Sequence, residues 1–174
     1  NNMVIVAVAA IAVEIVKRIT KAVQIPVTVK TRVGWSENDK GIEDFVLRLQ
    51  DAGANMITIH GRTRSQGFSG KANWSIIKEI KKILEIPVIA NGDICDGNDA
   101  IKCLNKTNAD GVMIGRAILG APWIIGKIEA AIEGNEVFKE PTIEEKLRLM
   151  IEHVEELVKH NGSHGLLIAR KHLS

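Results

Sequence analysis

The sequence predicts a parallel α/β chain: the second half of a TIM (β/α)8 barrel, followed by the start of an all-helical domain. Three observations carry this. Two apolar segments, Ile86-Pro-Val-Ile-Ala-Asn-Gly-Asp93 and Ala109-Asp-Gly-Val-Met-Ile-Gly-Arg-Ala117, end abruptly in small and polar residues. Continuous apolar runs without alternation are what strands covered on both faces require. The same strand pattern occurs four times with helical patterns between, at roughly 30 residues per unit. Finally, Gly-Asp and Gly-Arg close the last two strands, which suits a phosphate held by backbone N–H groups and an arginine. The last two strand–helix loops of such barrels commonly build that site. Period alone also allows an open sheet. A whole barrel takes about 250 residues and eight strands, so a chain of 174 residues with four visible strands corresponds to its second half.

The elements follow in order. Residues 3–13 are strongly apolar, but Glu14, Lys17 and Arg18 soon interrupt them. A membrane span needs about 20 apolar residues, and a secretory signal carries its charge before the apolar run. A buried strand or helix is expected here, with residues 9–24 forming the helix that leads into the first clear strand. Strands are expected at residues 25–32 and 55–62, and at the two segments already quoted, with an Ile-Pro-Val lead-in at both Ile25 and Ile86. Helices are expected at residues 42–52, 74–84 and 100–107. Phe45, Val46 and Leu49 share one face of the first, and Ile76, Ile77, Ile80 and Ile83 one face of the second. Asp51-Ala52-Gly53-Ala54 reads as a helix C-cap.

Beyond the fourth strand the pattern changes. Residues 122–133 form one helix, ended by Gly134. Thr142 and Glu145 make a capping box for a longer helix whose apolar stripe is Ile143, Leu147, Met150, Ile151, Val154, Leu157 and Val158. A further helix follows residues 162–165. The domain division expected is 1–140 for the half-barrel and 141–174 for the truncated helical domain.

Composition narrows the function classes. The chain is 45% hydrophobic and 25% charged, with a net charge of +2, which permits nucleic-acid binding without demanding it. Aromatic residues are only 3% and tyrosine is absent, which argues against a base-stacking platform of surface aromatics. Two cysteines, Cys95 and Cys103, show no metal-type spacing and suit a reducing cytoplasm. No metal site is expected.

The chemistry gathers at strand ends. Lys30 ends one strand, His60 the next, Asn91-Gly92-Asp93 the third and Gly115-Arg116 the fourth. Together they describe a crescent around one pocket. Two segments can hold an anion, and two offer donors to a planar polar ring. That combination suits flavin mononucleotide, with a phosphate cradle and donors that stabilise negative charge in the reduced ring. Asp93 is expected to orient N–H groups or a ribityl hydroxyl rather than to touch phosphate. For RNA, Arg62, Arg64 and Lys71 lie in the long loop 61–73, and Arg170 and Lys171 with His172 near the C-terminus. A basic loop at a pocket mouth can take the phosphate contacts that extruding a base requires.

Val-Lys-Thr-Arg (29–32), Ile-His-Gly-Arg-Thr-Arg (59–64), Ile-Ala-Asn-Gly-Asp-Ile (89–94), Met-Ile-Gly-Arg-Ala (113–117), Gly-Ala-Pro-Trp-Ile (120–124) and Ile-Ala-Arg-Lys-His-Leu (168–173) resemble, in order and spacing, the bacterial tRNA-dihydrouridine synthases. The resemblance runs from about Ala12 to the C-terminus; residues 1–10 do not look like the family. It implies an FMN-bearing barrel with a helical tRNA-binding domain, reducing the C5–C6 bond of uridine with hydride from a flavin that NADPH reduces. It also implies FMN-binding positions at Lys30, Asn91, Gly92, Asp93, Gly115 and Arg116, with His60 close to the ring. The family's proton-donor cysteine has no counterpart here, since neither Cys95 nor Cys103 sits at its position. The 174-residue chain is therefore expected to be inactive alone, part of a longer enzyme, and prone to self-association through open barrel edges. Two alternatives remain open: another FMN barrel oxidoreductase acting on a small molecule, and a non-catalytic phosphate- or RNA-binding fragment.

Overall fold

The structure is a computed structural model that describes residues 2–135 and 138–173. Four strands form one sheet in the order β1-β2-β3-β4: β1 (Thr28–Arg32), β2 (Met56–His60), β3 (Val88–Asn91) and β4 (Gly111–Met113). Every pairing is parallel. Three helices connect them: α2 (Ile42–Asp51), α3 (Trp74–Ile83) and α4 (Gly97–Thr107), with α1 (Asn2–Ala22) ahead of β1. Sequential parallel strands with a helix in every crossover are what a partial (β/α)8 barrel requires. The chain divides into two compact units: Asn1–Ile94 with Ile101–Met113, and Cys95–Ala100 with Ile114–Ser174.

In the first unit the core lies between sheet and helices. Ile57, Ile59, Val88 and Ala90 of the strands are fully buried, as are Val46, Leu49, Ile77 and Ile80 of α2 and α3. Since side chains alternate across a strand, Thr58 and His60 lie on the opposite face from Ile57 and Ile59. Register then sets Lys30 beside Thr58, and Arg32 beside His60, which on its other side meets Asn91.

The Ile-Pro lead-ins have a structural counterpart at the N-terminal edge of the sheet. The N–H of Val27 donates to Asn55 Oδ1 at 2.8 Å, and that of Val88 to Asp110 Oδ2 at 2.7 Å. Asn55 and Asp110 each immediately precede the next strand, so one polar side chain ties each lead-in to its neighbour. Gln50 Oε1 likewise accepts from Glu85 N–H at 2.8 Å. The α2 C-terminus closes as its sequence suggests: Gly53 takes φ +97°, and the Ala54 N–H reaches Leu49 O at 3.1 Å.

Two expectations need correcting. The apolar N-terminal segment is a helix, but not a buried one: Val8, Ile11, Ile15 and Ile19 are exposed, and of its described side chains only Val16 is buried. Its polar Thr20 anchors it instead, donating to Ala52 O at 3.0 Å. Helix α4 starts at Gly97, earlier than residue 100. Asp96 caps it by accepting the Asp99 N–H at 2.8 Å, which offsets the low helix propensity of Gly97.

The second unit holds α5 (Ile124–Ile132), α6 (Ile143–Asn161) and α7 (His164–Ala169), with short 3-10 turns at Arg116–Ile118 and Arg170–His172. Thr142 and Glu145 form the expected capping box. The α6 stripe divides: Met150, Val154, Leu157 and Val158 are half-buried, whereas Ile143, Leu147 and Ile151 are exposed. Gly165 allows α7 to press against the Leu157 backbone, because a Cβ there would collide with it. Among the described residues no helix is long and apolar enough to cross a membrane.

Candidate functional site

The C-terminal ends of β1, β2 and β3 bring Lys30, Arg32, His60 and Asn91 together on one face of the sheet. The reason is local: period-2 alternation sends Lys30 and Arg32 to the same side of β1, and register carries that side across to His60 and Asn91. Asn91 is 9% exposed, and its Nδ2 donates to Met113 O at 2.8 Å, which fixes which end of the amide faces the strand ends.

His60 sits at the centre, 6% exposed. Burial, and then the positive charges of Arg32, Lys30 and Arg62, depress its pKa to about 4, with Asp93 opposing. The imidazole is therefore neutral at pH 7. Lys30 is pulled below its ordinary value as well, by burial and by Arg32. Three cations and one carboxylate around one neutral ring leave this end of the sheet with an excess of positive charge. Gly92 allows the close approach to His60: its φ is +113°, and a Cβ would stand 2.8 Å from His60 Cδ2. No side chain larger than hydrogen fits there.

Arg62 is placed differently from its reading as an RNA contact. The loop after β2 folds it inward to 2% exposure. Its Nη2 donates to both Asp93 oxygens, at 2.7 and 2.9 Å, and to Gly70 O at 2.6 Å, while Nε donates to Ser69 O at 3.1 Å. A buried guanidinium needs such a partner. Among the described residues its Nη1 makes no hydrogen bond. Asp93, at φ +56°, also accepts the Ala72 N–H at 2.7 Å. It therefore orients N–H groups, and it ties the 61–73 loop to the Asn-Gly-Asp turn. Trp74 adds a further tie, its Nε1 donating to Gly92 O at 3.0 Å.

The remaining expected residues stand on other segments. Arg64 and Lys71 are exposed on the loop, as the RNA reading requires. Gly115 and Arg116 follow β4; both are exposed, and they open the 3-10 turn of the second unit. Arg170 and Lys171 are exposed in the second unit's last turn. Cys103 is buried, and burial pushes its thiol up to about 11, so it is inert at neutral pH.

The sequence reading missed Arg32, Trp35 and Phe68. Arg32 Nη1 donates to Thr63 O and Gly67 O, both at 2.9 Å, and its guanidinium lies 5.8 Å from the Phe68 ring centroid. Phe68 in turn lies 6.4 Å from the His60 ring. The available signal was the spacing Lys30-x-Arg32, which puts two cations on one strand face.

With this geometry in view, the chain can be set beside known proteins. The family model for dihydrouridine synthase (Dus) matches residues 5–174. The match includes most of residues 1–10, which the sequence resemblance had set aside. A probable tRNA-dihydrouridine synthase 1 from Synechocystis is 51% identical over 95% of this chain and 46% of its own length. A probable tRNA-dihydrouridine synthase from Rickettsia bellii is 43% identical over 94% of this chain and 50% of its own. The tRNA-dihydrouridine synthase B of Pasteurella multocida is 40% identical over 92% and 49%. The chain thus spans about half the length of the curated relatives it matches. Among solved structures, the Amycolatopsis orientalis BexX/CysO complex aligns over 77% of this chain and 54% of that one, with a TM-score of 0.52 and 17% identity, a likeness of fold alone.

Proposed function

The chain belongs to the dihydrouridine synthase family, and on that premise we propose that it is the flavin-holding part of a longer enzyme that reduces a uridine of tRNA to 5,6-dihydrouridine. The observation that carries this reading is the cationic cluster of Lys30, Arg32 and Arg62 around a neutral His60 at the strand C-terminal ends. A cofactor that is anionic at its phosphate, and gains negative charge in its ring on reduction, fits that field.

FMN is the cofactor we propose, with NADPH as the reductant. When bound, FMN would supply hydride to the C5–C6 bond of uridine, with the proton coming from a donor outside these residues. Lys30 and His60 would donate toward the ring edge and offset negative charge there. Asn91 and Gly92 would offer amide groups, and Gly115 with Arg116 would receive the phosphate. Asp93 does not meet the anion directly; it fixes Arg62 and the Ala72 amide. Arg64, Lys71, Arg170 and Lys171 contact RNA phosphates. The cytoplasm, where tRNA resides, suits this assignment and the two free thiols.

The test is made on the full-length enzyme. It should purify yellow, release FMN on denaturation, and form dihydrouridine in a tRNA transcript when NADPH is supplied. Arg116→Ala should weaken FMN retention by about tenfold or more, since a charge-assisted hydrogen bond contributes roughly 1.5–3 kcal/mol. A protein that holds no flavin, and takes none up, removes the assignment.

A further inference from the structure

We propose that Trp35 is a stacking site for an unpaired nucleobase of the RNA bound at this end of the sheet. The inference rests on the tRNA reading above and adds a contact to it. Trp35 lies just beyond β1 and is 64% exposed, although only six residues of the chain are Trp or Phe. A large apolar ring left in water on a loosely held loop would be unremarkable; this loop is held from both sides. The Trp35 and Ser36 N–H groups both donate to Asp39 Oδ2, at 2.6 and 2.9 Å, and the Asp39 N–H returns to Ser36 O at 3.1 Å. From the neighbouring loop, the Arg64 N–H donates to Gly34 O and the Ser65 N–H to Trp35 O, each at 2.9 Å. The indole is thus presented on a backbone fixed before any partner arrives, which lowers the ordering cost of binding.

The charge around it selects the partner. The Arg64 guanidinium lies 5.9 Å from the Trp35 ring centroid, and the ring nevertheless keeps most of its surface open. Arg64 and Lys71, on the adjoining loop, are exposed cations. An open aromatic face beside cations is the combination that takes a base by stacking and its phosphate by charge. The low aromatic content had argued against such a platform. Placement outweighs count, because one ring suffices for one base.

The experiment uses the full-length, FMN-loaded enzyme. Anisotropy titrations with a labelled tRNA transcript and with single-stranded oligouridine compare wild type, Trp35→Ala, Trp35→Phe and Arg64→Ala at several salt concentrations. Flavin content and thermal midpoint check each variant's fold. Trp35→Ala should bind both RNAs about tenfold more weakly with an unchanged salt slope, and Trp35→Phe should stay within about twofold of wild type. Arg64→Ala should reduce the slope by about 1. Wild-type affinity of Trp35→Ala for both RNAs overturns the proposal. So does a Trp35→Phe variant as weak as Trp35→Ala, or a change of oligomeric state in Trp35→Ala with RNA binding intact, which would make the ring a protein contact. If wild type ignores tRNA but binds oligouridine through Trp35, the tRNA reading falls and this one stands.

Discussion

The two ends of the parallel sheet use polar side chains in opposite ways. At the N-terminal edge Asn55, Asp110 and Gln50 all accept backbone N–H groups of the strand lead-ins. Burial alone would raise the Asp110 carboxyl, but Lys81 and the Val88 amide outweigh it and hold it below its ordinary value. At the C-terminal end three cations surround a neutral histidine, and one buried guanidinium nitrogen makes no hydrogen bond to the described residues. One end satisfies its polar groups and serves stability. The other holds Lys30 and Arg32 close together beside the Arg62–Asp93 pair, an excess of positive charge that a bound anion would offset. Barrels of this class place chemistry at the C-terminal face and structure at the other, and the same division is visible in four strands.

The largest test of that division concerns the chain by itself. β1 and β4 are the edges of the sheet, and α1 exposes Val8, Ile11, Ile15 and Ile19. Exposed edges and apolar stripes recruit other chains. The isolated 174-residue chain should therefore associate in light scattering and form no dihydrouridine in tRNA. A monodisperse, active monomer would show that the C-terminal cluster works without a closed barrel.

Asp93→Ala comes next. It leaves Arg62 buried with its main ion-pair partner gone, and breaking such a pair costs about 3 kcal/mol; the lower end of the range applies because Asp93 is partly exposed. Urea unfolding of the full-length enzyme should show the loss, with flavin released at lower urea than in wild type. An unchanged midpoint would mean that the loop 61–73 holds without the pair.

Lys30→Ala should separate activity from stability. Single-turnover reduction of tRNA should slow by about 100-fold, as when one donor to developing negative charge is removed. The unfolding midpoint should hardly move, since Lys30 is exposed. Asp110→Ala is the mirror experiment at the other end. Unfolding should become easier by about 1 kcal/mol as the Val88 N–H loses its partner, with flavin content and rate unchanged. A slower rate in Asp110→Ala would dissolve the division between the two ends.

How much of this could be read from the sequence differs between the two ends. The strands and helices were legible because apolar runs and helical spacing are local. Lys30, His60 and Asn91 were legible because polar residues ending apolar strands mark one edge of a parallel sheet. Arg62 was misplaced because a charged loop residue reads as exposed, and its burial depends on Asp93, 31 residues away. Arg32 was missed although alternation alone places it beside Lys30. The N-terminal helix reads as buried from composition, but burial is decided by what packs on it, and among its described side chains only Val16 is buried, with Thr20 bonded to Ala52 O.

The last effect expected is on the pH dependence of stability, and it reports the burial of His60 together with the positive charges around it. His60 has a folded pKa near 4 against an ordinary 6.5. Between those values the unfolded chain binds the proton that the folded chain refuses, so stability rises with pH there. The destabilising contribution is absent above pH 6.5, grows as pH falls below it, and stops growing below about pH 4. Urea midpoints at pH 7.5 and pH 5 should therefore differ more for wild type than for His60→Asn, which cannot titrate. Carboxylates elsewhere shift both proteins alike and cancel in the comparison. An equal shift in the two would mean that His60 keeps an ordinary pKa, with neither burial nor the charges of Lys30, Arg32 and Arg62 acting on the ring. A bound anion at the site should narrow the difference, because it restores the histidine's affinity for a proton. The flavin-free and flavin-loaded enzymes, compared at pH 5, measure that compensation.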